Sequence, residues 1–318
     1  MVQREPGARG NRDGQRAARR SLAAFERRGS EWLRAAAHAR IGELCLLLEE
    51  AGSADEAVLH LSAALSVLDA FGAWSSANRV REAIVAANLQ RGAYDAAERE
   101  LKLTTPHGAD DPWDMPMFDT VMRAEIALGR GDVDTGLDLW RTAAATLRDM
   151  QRPGPGGDAS GLDPWTLQIQ ATAVVVHAQH GRLSLVGEIA GALPAALSAL
   201  TADPGPPPGT LAASYSLAVC GSLLLALAMS DIDRGRRAAD PAAARSGARM
   251  IALAERFGLR NGLQPAMSAA RARRAAQEAD EPAYADAAPS YAGLDPQALR
   301  AAARAALRER TERAHLSD

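Results

Sequence analysis

Aromatic residues make up only 4% of the 318-residue chain, cysteine occurs twice, and Lys102 is the only lysine. Each scarcity removes a class of explanation. Few aromatics, beside a dominance of Ala, disfavour sheets, whose pleated faces need β-branched and aromatic side chains, and favour closely packed helices. Cys45 and Cys220 stand far apart in apolar contexts, so neither a disulfide framework nor a CxxC metal knuckle can form, and a reducing cytoplasm is the expected compartment. Arg carries nearly all the positive charge, as GC-rich coding bias alone produces, so its abundance by itself says little about function. The net charge of -3 provides no surface-wide attraction for nucleic acid or anionic lipid.

Catalytic and nucleotide-binding signatures are missing as well. There is no GxxxxGK[ST] phosphate loop, no GxSxG elbow, and no compact helix-turn-helix with its own basic recognition helix. The expectation is therefore a protein that is not an enzyme and needs no cofactor. The first 20 residues, MVQREPGARGNRDGQRAARR, lack the apolar core of a secretory signal and read as a disordered basic tail. One run does lack charge: Thr210 to Ser230, 21 residues, is long enough to cross a bilayer. Ser214, Ser216, Gly221, Ser222 and Ser230 dilute it, and an interior helix packed on both sides reads the same way, which is the reading preferred here.

What is present is a repeat. The phrase AGSADEAVLHLSAAL returns as RGAYDAAERELKL, as RGDVDTGLDLWRTAA and, more loosely, as HGRLSLVGEIAGAL. Each has a Gly followed five residues later by Ala57, Ala97, Gly136 or Val186, at spacings of 40, 39 and 50 residues. The long interval contains RPGPGGDASG, a Pro/Gly insertion over 152–161 that cannot continue a helix. A further phrase, DPAAARSGARMIALAERFG, echoes the first with Phe257-Gly258 laid on Phe71-Gly72.

Local chemistry says these phrases are helical. Ile41, Leu44, Cys45 and Leu48 follow three-and-four spacing, as do Val58, Leu61, Leu65 and Leu68. Between them Gly52 suits a left-handed C-terminal cap, and Ser53 with Glu56 spells a capping box. Asp163-Pro164, Asp240-Pro241 and Asp295-Pro296 each pair an acidic N-cap with proline at the first helical position. Breaks at 105–116 and a linker at 203–209 separate about six antiparallel hairpins over residues 21–316, and the last helix starts at Pro296.

On these residues the chain resembles the tetratricopeptide repeat family. Ile41, Leu44, Cys45, Leu48, Ala57, Leu61 and Ala64 occupy core positions of a first unit. Ile84, Val85, Ala97 and Leu101 do so in a second, with Asn88 at a normally bulky position, and Ala124, Ala127, Gly136, Trp140 and Ala143 in a third. The hallmark Trp, Gly and Tyr are missing, and the period exceeds the family's roughly 34 residues. The DAAERELKL, RGDVDTGL and ALAERFG phrases are similar to helical-repeat arms of actinobacterial regulators, namely Streptomyces antibiotic regulatory proteins and LuxR-type regulators with a signal-transducing ATPase. The resemblance implies an all-α, TPR-like α-solenoid of antiparallel helix pairs. Functionally it implies a protein-interaction module, the sensor or regulatory arm of a transcriptional system, binding a protein or extended peptide. The inner groove would then present Arg79, Glu82, Gln90, Glu125, Gln168 and Gln179 to the partner.

Other clusters carry a sharp and a plain reading. His177 and His180 share a helix face and could hold a metal, but no further ligand follows, and capping of a helix end is the preferred role. Asp110, Asp111 and Asp114 lack EF-hand spacing and read as a turn anchored by Trp113. Arg300, Arg304, Arg308, Arg310 and Arg313 could contact nucleic acid, which with the basic N-terminus is the alternative function; a solvated end helix is the preferred reading. Arg130-Gly131-Asp132 matches an adhesion tripeptide by chance.

Overall fold

The computed structural model describes residues 6–48, 50–104, 116–150, 163–202, 210–258 and 264–317. Among them are thirteen α-helices and two short 3-10 turns, with no strand. The all-α expectation holds. The insertion at 152–161, the linker at 203–209 and the acidic cluster at 110–114 lie outside the described residues.

Contacts divide the chain into two units, one of residues 1–139 with 262–265, the other of 140–261 with 266–318. The first holds α1 (Pro6–Arg28), α2 (Glu31–Leu46), α3 (Ser53–Ala70), α4 (Trp74–Gln90), α5 (Tyr94–Leu103), α6 (Pro116–Gly129) and the start of α7 (Val133–Met150). Successive helices from α1 to α6 pack on one another. The three-and-four stripes make the core: Ile41, Cys45, Ala57, Leu61, Ala64 and Leu68 are buried together with Ala77, Val80 and Ile84 of α4. Small residues set the spacing. A Cβ on Gly42 would stand 2.5 Å from Leu61 Cγ, so α2 and α3 approach where only glycine fits. The periodic positions Ala57, Ala97 and Gly136 are all buried.

Two expectations for this unit are corrected. Residues 6–20, expected as part of a disordered basic tail, belong to α1. Leu22 and Ala18 pack on the α2–α4 core, Gln15 donates to Cys45 Sγ at 3.0 Å, and Arg12 and Arg19 pair with Glu50 and Glu56. The charges that make this segment look like a tail are matched by carboxylates in or next to α3, which a local reading does not supply. The capping box does not form. Gly52, at φ +81°, takes the cap position itself, and Ser53 becomes the first helical residue. Glu56 instead faces Arg19 and His60.

The second unit holds the rest of α7, then α8 (Pro164–Gln179), α9 (Gly187–Ala202), α10 (Leu211–Ala238), α11 (Pro241–Phe257), α12 (Ala269–Ser290) and α13 (Pro296–Ser317). α10 is its axis, packed against α8, α9, α11 and α12. Every residue from Ala218 to Asp233 is buried, including Leu223, Leu224, Leu225 and Leu227. Each such leucine contributes roughly 1.5–3 kcal/mol of burial. Ser222 and Ser230 donate back to the Ala218 and Ala226 carbonyls at 3.1 and 2.8 Å, so the apolar environment leaves neither hydroxyl unsatisfied. Two stretches, Leu183–Ala202 and Tyr215–Ala238, are long and apolar enough to cross a membrane; 83% of the apolar window of the second is buried by the protein itself.

All three Asp-Pro starts are realised. Asp163 accepts from the Thr166 amide, Asp240 from Ala242 and Ala243, and Asp295 from Ala298, with proline first in each helix. A fourth start is hidden inside α12. At Asp280 the backbone leaves helical geometry (φ -163°, ψ 87°), and its carboxylate accepts from the Ala283 amide at 3.0 Å, capping a second segment that begins near Pro282.

Candidate functional site

The six residues expected to line an inner groove are divided between the units and mostly turned away from solvent. Arg79, Glu82, Gln90 and Glu125 belong to the first unit, Gln168 and Gln179 to the second. Only Arg79 is exposed. Glu125 and Gln168 are each 5% exposed, so neither is available to a partner. Gln90 donates to the Leu46 carbonyl at 3.3 Å. Gln179 donates to the Ala266 carbonyl at 3.1 Å and accepts from Arg271. Both glutamines tie helices together; here polarity in the sequence marks internal hydrogen bonding rather than a contact face.

Apolar exposure is concentrated elsewhere. Of the eight large apolar side chains that face solvent among the described residues, all but Leu185 lie in the first unit. Trp32, Leu33, Phe71 and Trp74 occupy the starts of α2 and α4 and the end of α3. The Trp32 and Phe71 rings meet edge to face with centroids 6.1 Å apart, and Trp74 follows the Gly72 turn. Trp74 is 67% and Phe71 56% exposed, in a chain with only five Trp and four Phe. No sequence motif marks this edge; the available signal was the cost of placing scarce, large aromatics at helix ends, outside the three-and-four stripes.

Most of the C-terminal arginines are engaged within the fold, so α13 is not the solvated end helix that its charge suggests. Arg300 is buried, Arg304 donates to the Thr201 carbonyl, and only Arg308 of the five is fully exposed. Arg310 and Arg313 reach Asp231, at 2.9 and 3.4 Å, and Arg234 joins at 3.4 Å. Asp231 has no solvent exposure, and its second oxygen also meets Ser246, which accepts from Arg313 at 2.6 Å. One buried carboxylate thus anchors α13 to α10 and α11. A cavity of about 570 Å³ lies on the Arg234–Arg310 side, and one of about 400 Å³ on the Arg313–Ser246 side.

Three further groups acquire definite roles. His177 Nδ1 lies 2.7 Å from the Ala173 carbonyl one turn back, and His180 is the C-cap of α8. Burial holds the pKa of both histidines below the ordinary value. Arg130 pairs with Asp95 and Glu98, and Asp132 accepts from the Thr135 amide, so the adhesion-like tripeptide is a helix junction. His38 and His60 face each other with Nδ1 atoms 2.8 Å apart. Burial lowers both, and for His38 the neighbouring His60 adds to the effect. Burial also pushes the Cys45 and Cys220 thiols up to about 11, away from nucleophilic use. Among the described residues no three His, Cys, Asp or Glu side chains are grouped to hold a metal ion.

Comparison with family models, with characterised proteins and with solved structures returns no match for this chain.

Proposed function

We propose that the chain is a non-enzymatic protein-interaction module whose contact surface is the aromatic edge of its first unit. The observation that carries this reading is the solvent-facing cluster of Trp32, Phe71 and Trp74. Tryptophan and other aromatics concentrate binding energy when a partner desolvates them, and single truncations at such anchors typically cost about 2 kcal/mol or more. Their exposure costs the free protein hydration energy that a bound partner recovers.

The repeat phrases with buried periodic positions Ala57, Ala97 and Gly136 support a TPR-like stack of antiparallel helix pairs in this unit. Within that reading the module is the sensor or regulatory arm of a transcriptional system in the cytoplasm, needing no cofactor. The groove residues are not part of the proposed contact. Direct nucleic-acid binding through the Arg-rich termini is the weaker reading, because Arg12 and Arg19 of α1 pair with Glu50 and Glu56, and Arg310 and Arg313 of α13 pair with Asp231.

Affinity capture from native lysate tests the proposal, comparing wild type with a Trp32→Ser/Trp74→Ser double variant, with and without nuclease. The expected result is a specific protein retained by wild type, lost by the variant and indifferent to nuclease. Retention of nucleic acid alone, or equal recovery by the variant, contradicts it.

A further inference from the structure

The hollow between α11, α12 and α13 has the composition of a ligand site. Its volume of about 400 Å³ falls in the range of roughly 300–1,000 Å³ usual for small-molecule pockets. The cause of the hollow is legible in the sequence: Ala302, Ala305 and Ala306 of α13, with Ala287 of α12, occupy positions where larger side chains would fill the seam. Met250 completes an apolar floor.

Charge around this floor is uneven. α11 contributes Arg245 and Arg249, α12 Asp286, and α13 both Glu309 and Arg313. Arg245 is paired with Asp280 at 3.3 Å, and Arg313 is held by Asp231 and Ser246. Arg249, Asp286 and Glu309 have no hydrogen-bond or ion-pair partner among the described residues. Arg249 from one wall and the carboxylates Asp286 and Glu309 from the other therefore line the same hollow without pairing across it. Tyr291 also lines it; burial and Glu309 push its hydroxyl up, so it stays a neutral donor.

We infer that this hollow binds a free amino acid with a large apolar side chain. The carboxylate accepts from the Arg249 guanidinium, the ammonium donates to Asp286 and Glu309, and the side chain covers the alanine floor. A simple anion would meet the two carboxylates, and a simple cation the arginines; a zwitterion satisfies both walls.

Isothermal titration of the full chain with L-phenylalanine and L-leucine tests this, beside N-acetyl-L-phenylalanine, which lacks the ammonium, and L-phenylalanine amide, which lacks the carboxylate. The expected result is saturable binding of at least one free amino acid, weakened about tenfold or more by either capping and by Arg249→Gln or Glu309→Gln. Ala305→Leu should abolish binding by filling the hollow. Both charge variants alter exposed side chains, and their thermal midpoints should match wild type. No saturable binding of either amino acid at millimolar concentration overturns the inference. So does binding that N-acetyl-L-phenylalanine reproduces, or that the two charge variants leave unchanged.

Discussion

Asp231 shows how much one residue organises. It directly follows the uncharged run Thr210 to Ser230, has no solvent exposure, and is matched by Arg234, Arg310 and Arg313. Removing one partner of a buried ion pair leaves charge uncompensated. Asp231→Asn, which preserves shape, should therefore cost about 3 kcal/mol, read as a fall in the urea midpoint. An unchanged midpoint would mean that α13 is not held there. The histidines make a second residue-scale prediction. His38, His60, His177 and His180 all have pKa values below the ordinary 6.5, chiefly through burial, so the unfolded chain binds protons that the folded chain refuses. Their contribution is complete above about pH 6.5 and is lost as pH falls below it. Urea denaturation at successive pH values should show stability declining through that window, with a shallower decline in His38→Gln/His60→Gln. Stability that rises on acidification contradicts the assignment.

At the scale of elements, helix starts were legible where one residue decides them and illegible where tertiary context does. Asp163, Asp240 and Asp295 cap as the Asp-Pro pairs predict, because cap and proline act on their own backbone. Asp240→Ala should cost about 1 kcal/mol in thermal or chemical denaturation. The Asp280 cap was missed because Glu281 separates it from Pro282 and the surrounding pattern reads as one helix. Ser53 was misread because Gly52 already supplies the left-handed turn. Gly42 gives an element-scale test of packing. An added methyl there would stand only 2.5 Å from Leu61 Cγ, so Gly42→Ala should destabilise by about 1–3 kcal/mol despite alanine's better helix propensity. A stabilised Gly42→Ala would show that α2 and α3 are not seated as described.

For the whole molecule, the sequence carried helical class and periodic core, since apolar spacing determines which face of a helix is buried. It did not carry which polar residues face solvent. Glu125 and Gln168 look like surface positions in any linear reading and are buried. Phe71 and Phe257 occupy the same place in two echoing phrases, yet Phe71 is 56% exposed and Phe257 4%. The difference lies in what covers each helix end, which no local pattern encodes. The exposed member of that pair belongs to the edge on which the functional reading rests.

Site-specific photo-crosslinking tests that reading most directly. A benzophenone side chain is placed at position 74 in cells, with position 141, an exposed arginine of the second unit, as control. The account predicts a discrete protein adduct at position 74, absent at 141 and resistant to nuclease. With that protein purified, Trp32→Ser should weaken binding by about tenfold or more. Equal cross-linking from both positions, or an affinity that Trp32→Ser leaves unchanged, contradicts a contact surface at the aromatic edge.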